Sequence, residues 1–230
     1  MTGPPRDTGC GGCTVLAFCV LSGLDGESLS QVERIIQRIP YATDETIFHQ
    51  GAPVLGYHIL CQGLAKLYAQ ASRGRRVLFK FSGPGDLLGG PVAEVYRASA
   101  QAMEDSLVAF IDRQAFSELL RDHPRVALEV IRRIGQDRDL LAARLVAIAY
   151  GDVRSRLASV LLELGERHGV QAADGIRINL PLSLRDVAEM IGCTPQTASE
   201  ELHKLAKKGL VKVAWPRIFI LDPEGLRRLG

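Results

Sequence analysis

Residues 183–209 read SLRDVAEMIGCTPQTASEELHKLAKKG. Ser183 followed three positions later by Asp186 has the spacing of a capping box, in which the hydroxyl and the carboxylate each satisfy a free backbone N–H. Val187, Ala188 and Ile191 make the apolar side of the short helix that this box opens. Gly192 supplies a turn. Thr194 caps a second helix, and Pro195 takes its first position, where a missing N–H costs nothing. Ala198, Leu202 and Leu205 then recur at the spacing of one buried helical face, and Gly209 ends the element. Beyond it, Leu210-Val211-Lys212-Val213 and Arg217-Ile218-Phe219-Ile220 are two short strand-like runs. Two capped helices across a glycine turn, followed by a two-stranded wing, predict a winged helix-turn-helix. The apolar set must pack inward, so Thr194, Gln196, Thr197, Ser199, Glu200 and His203 are the candidates to face DNA. Lys204, Lys208 and Lys212 lie where phosphates pass. Gln196 suits adenine and Glu200 suits the cytosine amino group; alternatively Lys204 holds Glu200 at i+4, and Glu200 reads nothing.

The chain has 230 residues, 47% of them apolar and 23% charged, with a formal net charge of +2. That length holds one large domain or two modest ones, each with its own core. The composition excludes a disordered, collagen-like or disulfide-dense chain. The basic excess lies in the last third, where Lys204, Lys207, Lys208, Lys212 and Arg217 follow one another with no acidic residue from Leu202 to Leu221. A basic stripe on a near-neutral chain is the electrostatic footprint of a phosphate-binding face.

At the other end stand Cys10, Cys13 and Cys19, spaced C-x2-C-x5-C among Gly9, Gly11 and Gly12. Thiols held this close in a reducing compartment usually ligate a metal or a cluster. Spacing alone leaves zinc and iron–sulfur open, although zinc ordinarily takes four closed ligands and the segment has no histidine. An odd total of five cysteines argues against a disulfide framework. Cys193 reads as packing within the helix-turn-helix.

Between these ends, Leu29 to Ile39 has helical spacing through Leu29, Val32, Ile35 and Ile36. From Tyr41 to about Ile111, turn glycines recur at Gly51, Gly63, Gly74 and Gly85, with short alternating runs such as Val77-Leu78-Phe79-Lys80-Phe81 between them. That texture predicts a β sandwich or roll, with Arg73-Gly74-Arg75 as a hairpin tip. Residues 113–120 form a short helix, and Asp122-His123-Pro124 marks the break before a long one. Val130, Ile134, Leu141 and Leu145, with Asp137 on the same stripe, form the face expected to meet a second copy of the chain, with Asp137 repelling its mate.

The order of parts resembles the CRP/FNR family of transcription regulators over nearly the whole chain. The matching stretches are Phe48-His-Gln-Gly51, Gln62-Gly63-Leu-Ala-Lys66-Leu-Tyr68, Gly83-Pro-Gly-Asp86-Leu-Leu-Gly89, Ala100-Gln-Ala-Met-Glu-Asp-Ser106 and the helix-turn-helix. The resemblance implies an α+β fold: a cluster-binding segment (1–28), a β-roll of the cyclic-nucleotide-binding jelly-roll type (29–120), a dimerisation helix (121–150) and a winged helix-turn-helix (151–230). The Cys10, Cys13, Cys19 spacing is similar to that of the oxygen-sensing FNR branch. Such a branch carries an oxygen-labile [4Fe–4S] cluster, forms a homodimer when the cluster is intact, binds a palindromic DNA site and engages RNA polymerase as an activator. Two departures stand out. The branch's fourth cluster cysteine falls at Ala109 here, which leaves Cys61 as the candidate fourth ligand, with a carboxylate or water as substitutes. The recognition helix has Gln196 and Glu200 where a Glu and, four residues on, an Arg are usual, so a different half-site is expected.

A cyclic-nucleotide sensor is not expected, because Gly89-Gly90-Pro91 stands where the ribose Glu belongs, and Arg97-Ala98 lacks the Ser that would complete a phosphate clamp. A regulator sensing nitric oxide, a haem ligand or another small effector without a cluster is the alternative reading. His49, His58 and Cys61 are its candidate ligands, although the two histidines read first as residues on solvated strand faces. No Walker loop, G-x-S-x-G elbow or H-E-x-x-H occurs, so the chain does not read as an enzyme. Its longest apolar run, Thr14 to Leu21, is far shorter than the ~20 residues that span a bilayer. The acidic and cysteine-containing flanks of that run do not suit a signal peptide, so a cytoplasmic location is expected.

Overall fold

The computed structural model describes residues 9–71, 74–89 and 94–229. The chain divides inside its longest helix into two compact units, Met1–Asp137 and Arg138–Gly230.

The first unit is a β-roll of two four-stranded sheets. Strands β1 (Ile36–Tyr41), β2 (Thr46–Phe48), β3 (Gly56–Gln62), β4 (Ala65–Gln70), β5 (Arg76–Ser82), β6 (Leu87–Leu88), β7 (Ser99–Ala102) and β8 (Ser106–Asp112) assemble in the orders β1-β8-β3-β6 and β2-β7-β4-β5. Every pairing in the roll is antiparallel. Ile59, Leu60, Val108, Ile111 and Ala100 bury their side chains in its core. Of the expected hairpin tip, Arg73 lies outside the described residues, as do Gly90 and Pro91 of the ribose-binding position. The strands flanking the tip pair as expected, from Ala65 opposite Ser82 to Gln70 opposite Arg76.

Helix α1 (Gly26–Ile35) is capped by Asp25 and buries Leu29 and Val32. The helical spacing from Leu29 to Ile39 predicts a longer helix than the ten residues that form. Ile36 to Tyr41 pairs instead as β1 with β8, Ile36 opposite Ile111 and Tyr41 opposite Ser106. A full antiparallel ladder outweighs the weak helical preference of β-branched residues, and Pro40 is tolerated because β1 is an edge strand. Helices α2 (Arg113–Asp122) and α3 (Pro124–Tyr150) follow. Phe116 of α2 packs its ring 4.4 Å from that of Tyr57 on β3, and α3 adds Val126 and Val130 to the same core.

In the second unit, α4 (Val153–His168) buries Leu157, Leu161 and Leu164. The helix-turn-helix is α5 (Leu184–Ile191) and α6 (Pro195–Lys207). The wing is wider than the sequence suggests. Besides β11 (Val211–Ala214) and β12 (Arg217–Ile220), a hairpin of β9 (Gly169–Ala172) and β10 (Gly175–Ile178) joins it, giving the order β11-β12-β10-β9. A short α7 (Pro223–Arg227) caps the unit.

His58 does not sit on a solvated strand face. It is buried in β3, with ring centroids 5.2 Å from both Phe48 and Phe110. Its Nδ1 lies 3.4 Å from the Tyr96 hydroxyl. Burial pulls the imidazole down from its ordinary 6.5 to about 4, so the fold favours the neutral ring. Below pH 6.5 the unfolded chain takes up a proton that the folded chain refuses, and stability therefore falls with pH until about 4. The loss across that window is about 3 kcal/mol. Denaturant melts at stepped pH should show this slope in the wild type and a flatter one in His58→Gln.

Candidate DNA interface and thiol site

The helix-turn-helix forms as its caps dictate. Ser183 accepts from the Asp186 N–H at 3.1 Å, and the Asp186 carboxylate accepts from the Ser183 N–H at 2.9 Å. Gly192 takes the left-handed conformation, φ 68°, that closes the turn. Thr194 accepts from the Thr197 N–H at 3.2 Å, with Pro195 at the first helical position. Ala198, Leu202 and Leu205 are buried, while Thr194, Gln196, Ser199, Glu200, His203, Lys204 and Lys208 are exposed and Thr197 is half-buried. Lys212 is exposed on β11, with its ammonium 5.7 Å from the Phe219 ring centre. At the tip of that hairpin Trp215 and Arg217 are exposed, and the Pro216 carbonyl accepts from the Leu182 N–H at 3.0 Å, fixing the tip against the segment that enters α5.

One charge on α6 escaped the sequence reading. Glu201 is buried beside the apolar stripe, where its carboxylate takes hydrogen bonds from Arg154 of α4 at 2.9 Å and from Lys204 at 2.6 Å. The bonded Lys204 and Arg154 hold this carboxyl below the usual range. Lys204 is therefore engaged by Glu201 and not by Glu200. Glu200 instead lies 3.4 Å from the amide of Gln196, one turn earlier on the exposed face. The spacing i, i+4 suits either partner, and the burial of Glu201 decides between them. Glu200 and Gln196 thus stand side by side on the exposed face. Cys193, in the turn, is half-buried and donates to the Thr194 carbonyl at 3.3 Å.

Cys19 is buried, and Cys10, Cys13 and Cys61 are half-buried. Cys10 and Cys61 both pack against the core cluster that includes Cys19. Burial raises Cys10 to about 12, helped by the neighbouring Glu33 carboxylate, and raises Cys19 to about 11. Without a metal these groups are neutral thiols. Arg38 Nη2 donates to Cys10 Sγ at 3.6 Å and to Glu33 Oε1 at 2.8 Å, while the Cys10 N–H donates to the same carboxylate. Ala109 pairs with Arg38 on one side and Ile59 on the other, so it lies in the cross-strand row of the arginine that touches Cys10. Cys61 is two residues along β3 from Ile59, at the bulge between Leu60 and Gln62.

Among the described residues, no three His, Cys, Asp or Glu side chains stand close enough to hold one metal ion. A multi-iron cluster would spread its thiolates around several metal atoms, and of the thiols Cys10 has the Arg38 cation beside it. His49 is exposed, and buried His58 belongs to the interior of the roll.

On α3 the expected dimer face needs correction. Val130 is buried in the core, and Asp137 pairs with Lys80 of β5 at 2.7 Å. Both therefore lie on the side turned to the roll, and Asp137 has a cation where a like-charged mate was expected. The exposed apolar residues are Leu128, Ile131 and Ile134 in the first unit and Leu141, Leu145, Val146 and Ile148 in the second. The sequence pattern had merged two apolar faces of one helix. No helix among the described residues is long and apolar enough to cross a membrane.

Two family profiles match this chain: a cyclic nucleotide-binding domain over residues 38–123 and a Crp-like helix-turn-helix domain over residues 155–229. Among curated proteins it is similar to the nitrogen fixation regulation protein FixK of Bradyrhizobium diazoefficiens, 26% identical over 98% of this chain and 95% of that protein. It is also similar to the CRP-like cAMP-activated global transcriptional regulator of Mycobacterium tuberculosis, 24% identical over 91% of this chain and 95% of that protein. Among solved structures, a mutant of CooA from Carboxydothermus hydrogenoformans shares the fold, with a TM-score of 0.80 at 21% identity, covering 97% of this chain and 96% of that one.

The exposed face of α6 makes a separable prediction. Gln196→Ala should relax preference at one base pair, losing about 1–3 kcal/mol of discrimination. Lys208→Ala should weaken binding to all sequences alike and reduce the salt slope by about one counterion. Selection from random DNA, repeated with Glu200→Ala, should lose information at one position; an unchanged motif would show that Glu200 reads no base.

Proposed function

We propose that the chain is a DNA-binding transcription regulator of the CRP/FNR family, and that it senses oxygen or redox state through an iron–sulfur cluster held by Cys10, Cys13, Cys19 and Cys61. The observation that supports this reading is the C-x2-C-x5-C run of Cys10, Cys13 and Cys19, all buried or half-buried, with Cys61 the remaining thiol of the roll at the β3 bulge. When bound, such a group supplies iron and sulfide that oxygen attacks, so the bound state is itself the signal. The chain's own residues do the rest. Gly9, Gly11 and Gly12 let the loop wrap, the β3 bulge presents Cys61, and Arg38 sets a positive charge beside Cys10 to offset the negative charge of the thiolates.

The output is association and DNA binding. The exposed apolar residues of α3, Leu128 to Ile134 and Leu141 to Ile148, are the surface offered to a second copy. A homodimer would set two recognition helices on a palindromic site, with RNA polymerase as the further partner of an activator. A cyclic nucleotide is not part of this reading. Phe48 and Tyr96 stack at 4.0 Å within the roll, His58 fills the space beside them, and Arg97 is exposed.

Anaerobically purified protein should be brown, contain iron and acid-labile sulfide, and bleach in air. Cys10→Ser, Cys13→Ser and Cys19→Ser should lose the colour, whereas Cys193→Ser should keep it. Cys61→Ser is the discriminating variant: full retention of the cluster would assign the fourth position to another group. Stoichiometric zinc without sulfide in wild-type preparations would overturn the reading.

A further inference from the structure

We propose that Arg133 of α3 is the positioning residue that ties the thiol loop to the helix, so that a change at Cys19 is passed to the apolar face one step away. The inference deepens the cluster reading and rests on it for the identity of the signal, while the contacts that carry it stand by themselves.

The Arg133 guanidinium is almost fully engaged. Its Nε donates to Glu129 at 2.7 Å, one turn earlier on the same helix. Nη1 donates to the Gly85 carbonyl at 3.1 Å and to the Asp86 carboxylate at 3.0 Å, both in the turn between β5 and β6. Nη2 donates to the carbonyl of Phe18, the residue before Cys19. The planar fork thus joins three pieces of chain at once, a task that a point-charge ammonium would not perform. The loop and the turn also touch each other directly. The Val20 N–H donates to the Gly85 carbonyl at 3.2 Å, and a Cβ added at Gly85 would meet the Phe18 carbonyl oxygen at 2.8 Å. The same turn is bound to the thiol-bearing strand through Gly85 N–H to the Leu60 carbonyl at 2.7 Å, next to Cys61.

One turn further along α3, Asp137 is paired with Lys80 of β5. Arg133 and Asp137 are therefore two polar anchors at i and i+4, and they fix the rotation and height of this part of the helix against the roll. Ile131 and Ile134, two residues before and one after Arg133, are exposed apolar residues. Asp137 is tied to Lys80 of β5, whereas Arg133 is tied to the thiol loop. Displacing the Phe18 carbonyl removes one acceptor from a nearly saturated guanidinium and leaves its charge to find another, which turns the helix.

Full-length protein, prepared anaerobically, tests this by sedimentation velocity, with visible absorbance reporting the cluster separately. In the wild type, bleaching in air should weaken dimerisation by about tenfold or more. Arg133→Gln should keep its colour and lose that response, its dimer constant changing less than about threefold on bleaching. Arg133→Lys, which keeps the charge without the fork, should respond only partly. A coloured Arg133→Gln protein that responds as the wild type does would overturn the proposal. A second arm needs no cluster: Gly85→Ala, strained at φ +93° and crowding Phe18, should shift the dimer constant of apo protein in the Arg133 background and not in Arg133→Gln. Equal shifts in both backgrounds would overturn the proposal. In Arg133→Gln, hydrogen exchange over residues 16–24 should also be faster than in the wild type, and unchanged exchange would count against it. A colourless wild type sinks the cluster reading, and the Gly85 arm then decides the role of Arg133 alone.

Discussion

A helix with apolar residues on more than one side must bury each side against something, and among the described residues α3 keeps a run of apolar side chains exposed. Val126 and Val130 are inside the core of the roll, and Asp137 is held by Lys80. On the second unit's portion, Arg144 meets Glu163 of α4 at 2.8 Å, a half-buried carboxyl that burial pushes up against the pull of the arginine. These anchors leave Leu128, Ile131, Leu145 and Val146 in water, at an unfavourable cost of about 25 cal/mol for each Å² of apolar surface. The helix is long enough to form but incompletely satisfied. A small shift of the covered side therefore changes what the uncovered side offers.

The caps of the helix-turn-helix were legible residue by residue, since Ser183, Asp186, Gly192, Thr194 and Pro195 each answer a local backbone need that does not depend on distant partners. The β-roll was legible as texture, through its recurring glycines. What stayed hidden depends on contacts remote in sequence. Ile36 to Tyr41 became a strand because β8 was there to pair with it. The β9 and β10 strands, both short, the first exposed and the second half-buried, carry no alternation strong enough to announce them. Val130 and Asp137 fit the apolar spacing of α3, but periodicity places a residue on a helix without saying which of two faces meets the core.

The candidate site divides in the same way. The C-x2-C-x5-C spacing was visible in the loop, and Cys61 followed as the remaining thiol of the roll, yet nothing in the sequence brings Arg38 and Glu33 to Cys10. Glu201 was overlooked because a carboxylate on a helix is ordinarily solvated. Its burial is paid for by Arg154 and Lys204, and the pairing fixes the underside of the recognition helix while its outer face stays free. His58 shows the converse: a residue expected in solvent, enclosed by aromatic rings from neighbouring strands.

The wing tip has a practical side. Trp215 is the only tryptophan in the sequence and is exposed at the turn between β11 and β12, two residues from Arg217. Its intrinsic fluorescence therefore originates at a single known point, on the unit that carries the helix-turn-helix and far along the chain from Cys10, Cys13, Cys19 and Cys61. Emission excited at the red edge of the protein band follows the environment of the wing alone, while the roll contributes only tyrosine. The wing can thus be followed optically without any label, through its indole emission alone.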